Sequence, residues 1–176
     1  VRIIGGTYKG RIIHAPQLKE TRPTTDYAKE GLFNVLQHNY NLEGITVLDL
    51  FCGTGSLSLE FVSRGALKIT SVDHSFKAIQ NLKKIYTDWD IKNAHTIKQD
   101  AISFLKSCNE KYDIIIADPP FTFKNSAEIP EIVFQRQLLN NGLLIIEHPA
   151  ELVLKNCSNF IETRHYGKVN FSFFKS

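Results

Sequence analysis

Residues 47–56 read Val47-Leu48-Asp49-Leu50-Phe51-Cys52-Gly53-Thr54-Gly55-Ser56, and this stretch decides the fold. An apolar run broken by one acid predicts a buried strand over Thr46–Phe51. Two glycines then permit a tight turn and close backbone approach, and Ser56–Arg64 reads as a helix stopped at Gly65. A strand that passes through glycines into a helix forms a ligand cradle, because the first helical turn has free N–H groups. The dinucleotide pattern G-x-G-x-x-G is incomplete, since Ser58 stands at the third glycine. Asp49 narrows the ligand further. A carboxylate at the mouth of the loop repels a pyrophosphate and accepts hydrogen bonds from an ammonium or a water. That favours a nucleoside bearing an amino acid over one bearing two phosphates.

Outward from the loop, strands and helices alternate. Ile69–Val72, Ala94–Lys98, Ile114–Ala117 and Leu143–Glu147 read as strands, separated by helices over Ser75–Trp89, Ala101–Ser107 and Ala127–Leu139. Phe76, Ile79, Leu82, Tyr86 and Trp89 recur at helical spacing and are expected on one buried face. Phe160–His165 and Val169–Phe174 form a closing hairpin that turns at Gly167. The pattern predicts an α/β, Rossmann-like fold: a mostly parallel seven-stranded sheet, helices on both faces and a C-terminal antiparallel hairpin. Ahead of the loop, Arg2-Ile3-Ile4 and Arg11-Ile12-Ile13 flank a glycine-rich turn as a small N-terminal hairpin. A polar loop with Pro16 and Pro23 follows. Thr24, Thr25 and Asp26 are N-cap candidates for a helix with Ala28, Leu32, Val35 and Leu36 on one face. Gly31 weakens that helix by about 1 kcal/mol relative to alanine. The expected division is an extension over 1–24 and a main domain over 25–176.

A chain of 176 residues, 43% apolar and 22% charged, suits one globular domain. No apolar run approaches the ~20 residues of a membrane span, and no leader pattern opens the sequence, so a cytoplasmic protein is expected. Three cysteines without a CxxC exclude a disulfide scaffold and a closed zinc site and fit a reducing compartment. The histidines are scattered, so no metal is expected. Net charge is +3, but residues 1–30 hold six basic and three acidic side chains, and the other 146 residues hold 15 of each sign. The whole excess lies in the first sixth of the chain, an asymmetry that points to a polyanion partner. Nothing suggests more than a monomer.

Two further acids follow the glycine loop at strand ends. Asp73, 24 residues after Asp49, is placed to take both hydroxyls of a ribose. Asp100 is placed to accept from an exocyclic adenine amine, with the Ala101 N–H facing a ring nitrogen. The bland alternative for both is a helix N-cap. Together with the glycine turn, the three acids resemble the class I S-adenosylmethionine-dependent methyltransferases. That resemblance implies that Asp49, Phe51, Gly53 and Gly55 hold the methionine moiety, Asp73 the ribose, and Asp100 and Ala101 the adenine.

The fourth strand runs into Asp118-Pro119-Pro120-Phe121. Two prolines cannot continue a ladder and lack N–H groups, so the chain leaves the sheet on a stiff path. Asp118 and the Pro119 carbonyl become two close acceptors, followed by an aromatic face. This suits an exocyclic amine on a planar base. Accepting both N–H bonds stabilises the charge that grows on the nitrogen, while Phe121 stacks on an extruded base. The competing reading is an ordinary proline turn with Phe121 in the core. The tetrapeptide resembles the (Asp/Asn)-Pro-Pro-aromatic motif of methyltransferases acting on adenine N6 or guanine N2.

Arg2-Ile3-Ile4-Gly5-Gly6, Lys9-Gly10-Arg11, Arg22-Pro23-Thr24-Thr25-Asp26, Lys29-Glu30 and Leu32-Phe33-Asn34-Val35-Leu36 fit no general physical template. With the glycine loop, Asp118–Phe121, Glu147-His148 and Tyr166-Gly167, they resemble the bacterial small-subunit ribosomal RNA guanine-N2 methyltransferases of the guanine-966 type. The resemblance spans nearly the whole chain. It implies methylation of a guanine in 16S ribosomal RNA within an assembling small subunit. Tyr27 replaces a usual basic residue, Gly31 a usual serine or threonine, and Phe121 the commoner tyrosine. Physically, Arg2, Lys9 and Arg11 are suited to track phosphates, and Lys124 to meet the target nucleotide's phosphate. Arg22 and Thr24 precede the helix expected to cover the cofactor and complete the RNA-facing set. Lys168, in the last turn, is a weaker candidate. The alternative activities are a DNA adenine-N6 methyltransferase, a nicotinamide-dependent oxidoreductase and a non-catalytic assembly factor. The first lacks room for a target-reading module. Asp49 and Ser58 speak against the second, and the intact tetrapeptide against the third.

Overall fold

The computed structural model describes residues 1–14 and 25–176. Arg22 and Thr24, with Pro16 and Pro23, lie outside the described residues. The chain starts with a reversal at Gly6–Gly10 held by one antiparallel bridge, Arg2↔Ile12, and flanking backbone hydrogen bonds such as Ile3 N to Arg11 O (2.9 Å). Helix α1 (Asp26–Asn39) follows, with Thr25 as its cap: the Thr25 hydroxyl accepts from the Ala28 amide at 3.2 Å. Then come β1 (Thr46–Leu50), α2 (Ser56–Ser63), β2 (Lys68–Asp73), α3 (Phe76–Asp88), β3 (Ala94–Lys98), α4 (Ala101–Ser107), β4 (Tyr112–Ala117), α5 (Glu128–Gln135), β5 (Leu139–Pro149), β6 (Phe160–Tyr166) and β7 (Val169–Lys175).

One seven-stranded sheet runs in the order β3-β2-β1-β4-β5-β7-β6. β1 to β5 are parallel, and β7 pairs antiparallel with β5 and with β6. Alternate strand residues face opposite layers. Val47, Ile69, Ile114, Ile116, Ile145 and Phe171 pack with α1, α2, α3 and the N-terminal Ile3 and Ile13. Leu48, Leu50, Val72, Ile115, Ile146 and Phe174 pack with α4 and α5. Asp49 falls in register with Val47 and therefore points at α2. The order reverses at β1, which has β2 on one side and β4 on the other. The loops after β1 and β4 consequently diverge and leave a crevice at the carboxyl edge. Among the described residues no helix is long and apolar enough to cross a membrane.

Several sequence expectations need correction. The helix expected over Ala127–Leu139 is α5, and it ends at Gln135. Gln137 adopts φ 54°, and the Leu138 and Gln137 amides close on Val133 O and Phe134 O at 3.0 and 3.1 Å. This is a Schellman ending built on a residue other than glycine, so composition gave no stop signal. β5 accordingly starts at Leu139 rather than Leu143, pairing with Tyr112 across a bulge. β1 stops at Leu50 because Phe51 turns to φ 60°. On α3, Ile79, Leu82 and Tyr86 are buried as expected, but Phe76 is 59% exposed. It is the first helical residue, at the loop end, where the sheet no longer covers it.

Candidate functional site

Residues 51–55 double back through three left-handed positions, Phe51 (φ 60°), Gly53 (φ 50°) and Gly55 (φ 78°). A Cβ on Gly55 would overlap the Leu82 side chain, so this corner admits only glycine. Gly55 also precedes α2 without a side-chain cap, leaving the first N–H groups of that helix toward the loop.

Asp49 is buried at the end of β1, and Ser58 of α2 holds it: the Ser58 amide donates to Asp49 Oδ2 at 3.0 Å and the Ser58 hydroxyl donates to the same oxygen. With Asp49 ionised, the chain continues inward, Ser58 Oγ accepting from Ser71 (2.7 Å) and Ser71 from the Tyr86 hydroxyl (2.8 Å). The residue at the third-glycine position is thus the one that aims the acid. Asp49 Oδ1 is buried and has no hydrogen-bond partner. Burial pushes this carboxyl up to about 7, with Asp73 adding to the rise. A buried acceptor left open in a native fold calls for a donor. A cationic ammonium supplies one and offsets the desolvation that raises the carboxyl.

Asp73 bridges β2 to the loop: its Oδ2 accepts from the Gly53 amide at 2.9 Å and its Oδ1 from the Ser75 amide at 2.8 Å. It is not the N-cap of α3; Ser75 is, accepting from Ala78 N at 3.3 Å. Each Asp73 oxygen retains a lone pair for a hydroxyl. Asp100 does cap its helix, accepting from the Ser103 amide at 2.8 Å, so the bland reading is realised there. Asp100 is exposed, and the adjacent Ala101 opens α4. Two carboxylates flanking one glycine turn make a mouth of negative potential. That fits an amino-acid-bearing, positively charged nucleoside and disfavours a pyrophosphate, so the residues present fit S-adenosylmethionine.

Across the crevice, β4 pairs with β1 up to Ala117, and the Asp118 amide extends that contact to Leu50 O at 3.2 Å. Asp118 therefore stands beside the start of the glycine loop. Pro119 is buried and Pro120 half-buried, and the chain turns with Phe123 N on Pro120 O at 2.8 Å. Phe121 is 48% exposed. Phe123 takes the packed position instead, its ring 5.1 Å from that of Phe51, so the proline-turn reading with Phe121 in the core fails. Lys124 is exposed in the same loop. Among the described residues no group of three or more His, Cys, Asp or Glu is placed to hold a metal ion.

Among the basic residues singled out from the sequence, Arg2, Lys9 and Arg11 lie along α2 and Lys124 lies in the loop after β4. The N-terminal segment lies along α2. At the loop end, Lys29 Nζ donates both to Arg2 O (2.6 Å) and to Ser56 Oγ (3.1 Å), and Arg2 is 4.0 Å from Asp26. At the far end, the Thr7 amide meets Ser63 O (2.7 Å) and the Tyr8 amide meets Ser63 Oγ (2.9 Å). An eight-residue helix spans about 12 Å, so Arg2 stands at the loop end of α2 and Lys9, in the reversal held near Ser63, toward the other end, while the chain returns through Arg11 opposite Ile3 (Ile3 N to Arg11 O 2.9 Å). The Arg11 guanidinium lies 4.8 Å from the ring centres of both Tyr8 and Trp89.

Sequence reasoning missed the cluster that fastens this segment. Glu60, fully buried in α2, accepts from the amides of Ile4 and Gly5 (both 2.9 Å). It also pairs with Arg64 (2.7 Å) and with fully buried Lys29 (3.5 Å). The available signal was polar: Ser58 and Glu60 interrupt the apolar run Leu57, Leu59, Phe61 and Val62. Glu147 and His148 at the end of β5 are buried too, with His148 Nδ1 on Pro149 O (2.9 Å) and Nε2 on Ser172 Oγ (2.7 Å).

Comparison with known proteins places the chain in a family and matches its fold. The family described as conserved hypothetical protein 95 matches residues 1–175. Ribosomal RNA small subunit methyltransferase D of Buchnera aphidicola (subsp. Baizongia pistaciae) is 41% identical over 86% of this chain and 78% of its own length. The protein of the same name from Haemophilus influenzae is 32% identical over 84% and 78%. The solved structure of the Escherichia coli protein yhhF superimposes with a TM-score of 0.86 at 30% identity, covering 99% of this chain and 97% of that one.

Proposed function

The chain belongs to the family of ribosomal RNA small subunit methyltransferase D, and from that premise we propose that it transfers a methyl group from S-adenosylmethionine to the exocyclic N2 amine of a guanine in 16S ribosomal RNA. One observation carries the reading. Asp49, with one buried oxygen that lacks a partner, lies near the end of β1, and the Asp118-Pro119-Pro120-Phe121 corner follows the neighbouring strand β4, at the point where the strand order reverses. When bound, S-adenosylmethionine supplies an electrophilic methyl group on a positively charged sulfur. Asp49, Phe51, Gly53 and Gly55 would hold its amino-acid end, Asp73 its ribose, and Asp100 with the Ala101 N–H its adenine.

The chain's own chemistry lies at Asp118. Its carboxylate and the Pro119 carbonyl accept the two N–H bonds of the guanine amine, whose lone pair is otherwise drawn into the ring. Fixed acceptors aimed at a nitrogen that gains positive charge stabilise the transition state. The Asp118 carboxylate then takes the proton that the nitrogen loses. Phe121 stacks on the base, and the stiff Pro119-Pro120 path fixes the acceptors in place before the base arrives.

Arg2, Lys124 and, beyond the described residues, Arg22 and Thr24 would meet RNA near the target. Lys9, toward the far end of α2, and Arg11 would extend that contact, so the footprint exceeds one nucleotide. Residues 1–24 thus act as an RNA-facing extension of the catalytic domain. A net charge of only +3 gives a weak grip on naked RNA, so the substrate is a structured ribonucleoprotein that supplies further contacts, a partly assembled small subunit in the cytoplasm, which the chain meets as a monomer. The test supplies labelled S-adenosylmethionine with methyl-free small subunits, total RNA or DNA, followed by digestion to nucleosides. N2-methylguanosine from subunits is the expected product. N6-methyladenine from DNA would replace the proposal with its alternative.

A further inference from the structure

We propose that Tyr27, backed by Tyr166, is a stacking platform for an unpaired RNA base adjacent to the target guanine. The inference rests on the RNA methyltransferase reading and adds a second base-binding element to it. Tyr27 is the second residue of α1, and it lies off that helix's buried face, which is Ala28, Lys29, Leu32, Phe33 and Leu36. It is 67% exposed, yet its ring is placed: it meets the Tyr166 ring edge-on, centroids 6.1 Å apart at 73°.

Tyr166 is in turn pinned. Its ring fills the space where any Cβ on Gly31 would lie, and it meets Phe171 at 5.9 Å and 61°. Tyr27 and Gly31, one turn apart on α1, therefore work as a pair through Tyr166. Gly31 admits the Tyr166 ring against the helix, and that ring steadies Tyr27 one turn earlier, leaving a Tyr27 face to solvent.

The platform sits at the correct edge. Tyr166 pairs with Val169, and Val169 with Pro149 at the carboxyl end of β5, so this turn stands at the same edge as Asp118. β5 and β7 separate it from the corner after β4, a lateral offset of two to three strands or about 10–14 Å, within reach of a neighbouring nucleotide. Two exposed cations flank these elements: Arg2 lies 4.0 Å from Asp26, the residue before Tyr27, and Lys168 is in the turn after Tyr166. An exposed ring face with cations beside it matches a base with its phosphates, since every base has a π-face and stacking tolerates sequence. A docked protein would instead call for a broad apolar patch without that charge.

The test uses two readouts on the full chain. A short single-stranded RNA carrying 2-aminopurine on either side of its one guanine reports stacking by fluorescence quenching, and methyl-free small subunits report KM for methyl transfer. Tyr27→Ala is expected to abolish quenching at one flanking position and to raise KM about tenfold, with Tyr27→Phe restoring both and S-adenosylhomocysteine affinity constant across the set. Quenching and KM within twofold of wild type in Tyr27→Ala would overturn the platform. If wild type makes no N2-methylguanosine, the methyltransferase reading falls instead, and the quenching comparison still decides whether Tyr27 stacks a base.

Discussion

Burial lifts the carboxyl of Asp49 to about 7; the two hydrogen bonds from Ser58 pull the other way, and Asp73 adds to the rise. In the unfolded chain the same group titrates near 3.9. Between those values the folded state holds a proton that the unfolded state has lost, so this residue's contribution to stability falls as pH rises from about 4 to 7. Asparagine mimics the protonated form. Asp49→Asn is therefore expected to leave thermal stability of the unliganded protein nearly unchanged at a pH just below 4 and to raise it progressively up to pH 8; an equal shift at both ends would refute the assignment. At Asp118 the expectation is catalytic. Asp118→Ala should cut methyl transfer by about 10²–10³ or more, the scale of losing a transition-state acceptor, while S-adenosylhomocysteine binds as before. Retained activity would remove Asp118 from the mechanism. Both acids were legible in sequence because each sits in a contiguous motif. The Ser58–Ser71–Tyr86 chain behind Asp49 was not, since its members come from three elements that only folding brings together.

Helix α1 joins the N-terminal segment, the glycine loop and the last hairpin, through residues that look unhelpful in isolation. Gly31 costs helix propensity, but its missing Cβ is where the Tyr166 ring lies. Gly31→Ala is expected to destabilise by about 1–3 kcal/mol, as overpacking does, despite a propensity gain of about 1 kcal/mol. In a Tyr166→Ala background the sign should reverse, which urea unfolding of the four proteins would show. Lys29 gives the second case. Burial lowers its ammonium while Glu60 raises it, and Glu60 also gathers Arg64 and two backbone amides. Glu60→Ala leaves a buried ammonium unpaired and should cost about 3–5 kcal/mol; a loss below 1 kcal/mol in the same assay would show that the cluster is not what anchors the N-terminal segment. Neither role follows from spacing along the chain. Lys29 sits at a position that periodicity assigns to core, and its partner is 31 residues away.

Over the whole molecule, the small net charge bounds how the protein holds RNA. If Arg2, Lys9, Arg11 and Lys124 each neutralise one phosphate, log affinity for single-stranded RNA should fall against log salt with a slope of about −3. Fluorescence titration over a salt series measures it, and a slope near zero would show that these four do not form the contact. What sequence alone determined is the part written locally: alternating strands and helices, the glycine loop with its acid, and the acid-proline-proline corner. Period and turn chemistry act over a few residues, so they survive being read in one dimension. Tertiary structure decided the rest. It set the strand order that opens the crevice between β1 and β4, and it ended α5 on a left-handed glutamine. It also folded the Gly6–Gly10 reversal with Lys9 back along α2 and left one oxygen of Asp49 buried without a partner. Each depends on which surfaces meet across the sheet, where packing and desolvation act between residues far apart in the chain, and no local pattern encodes that choice.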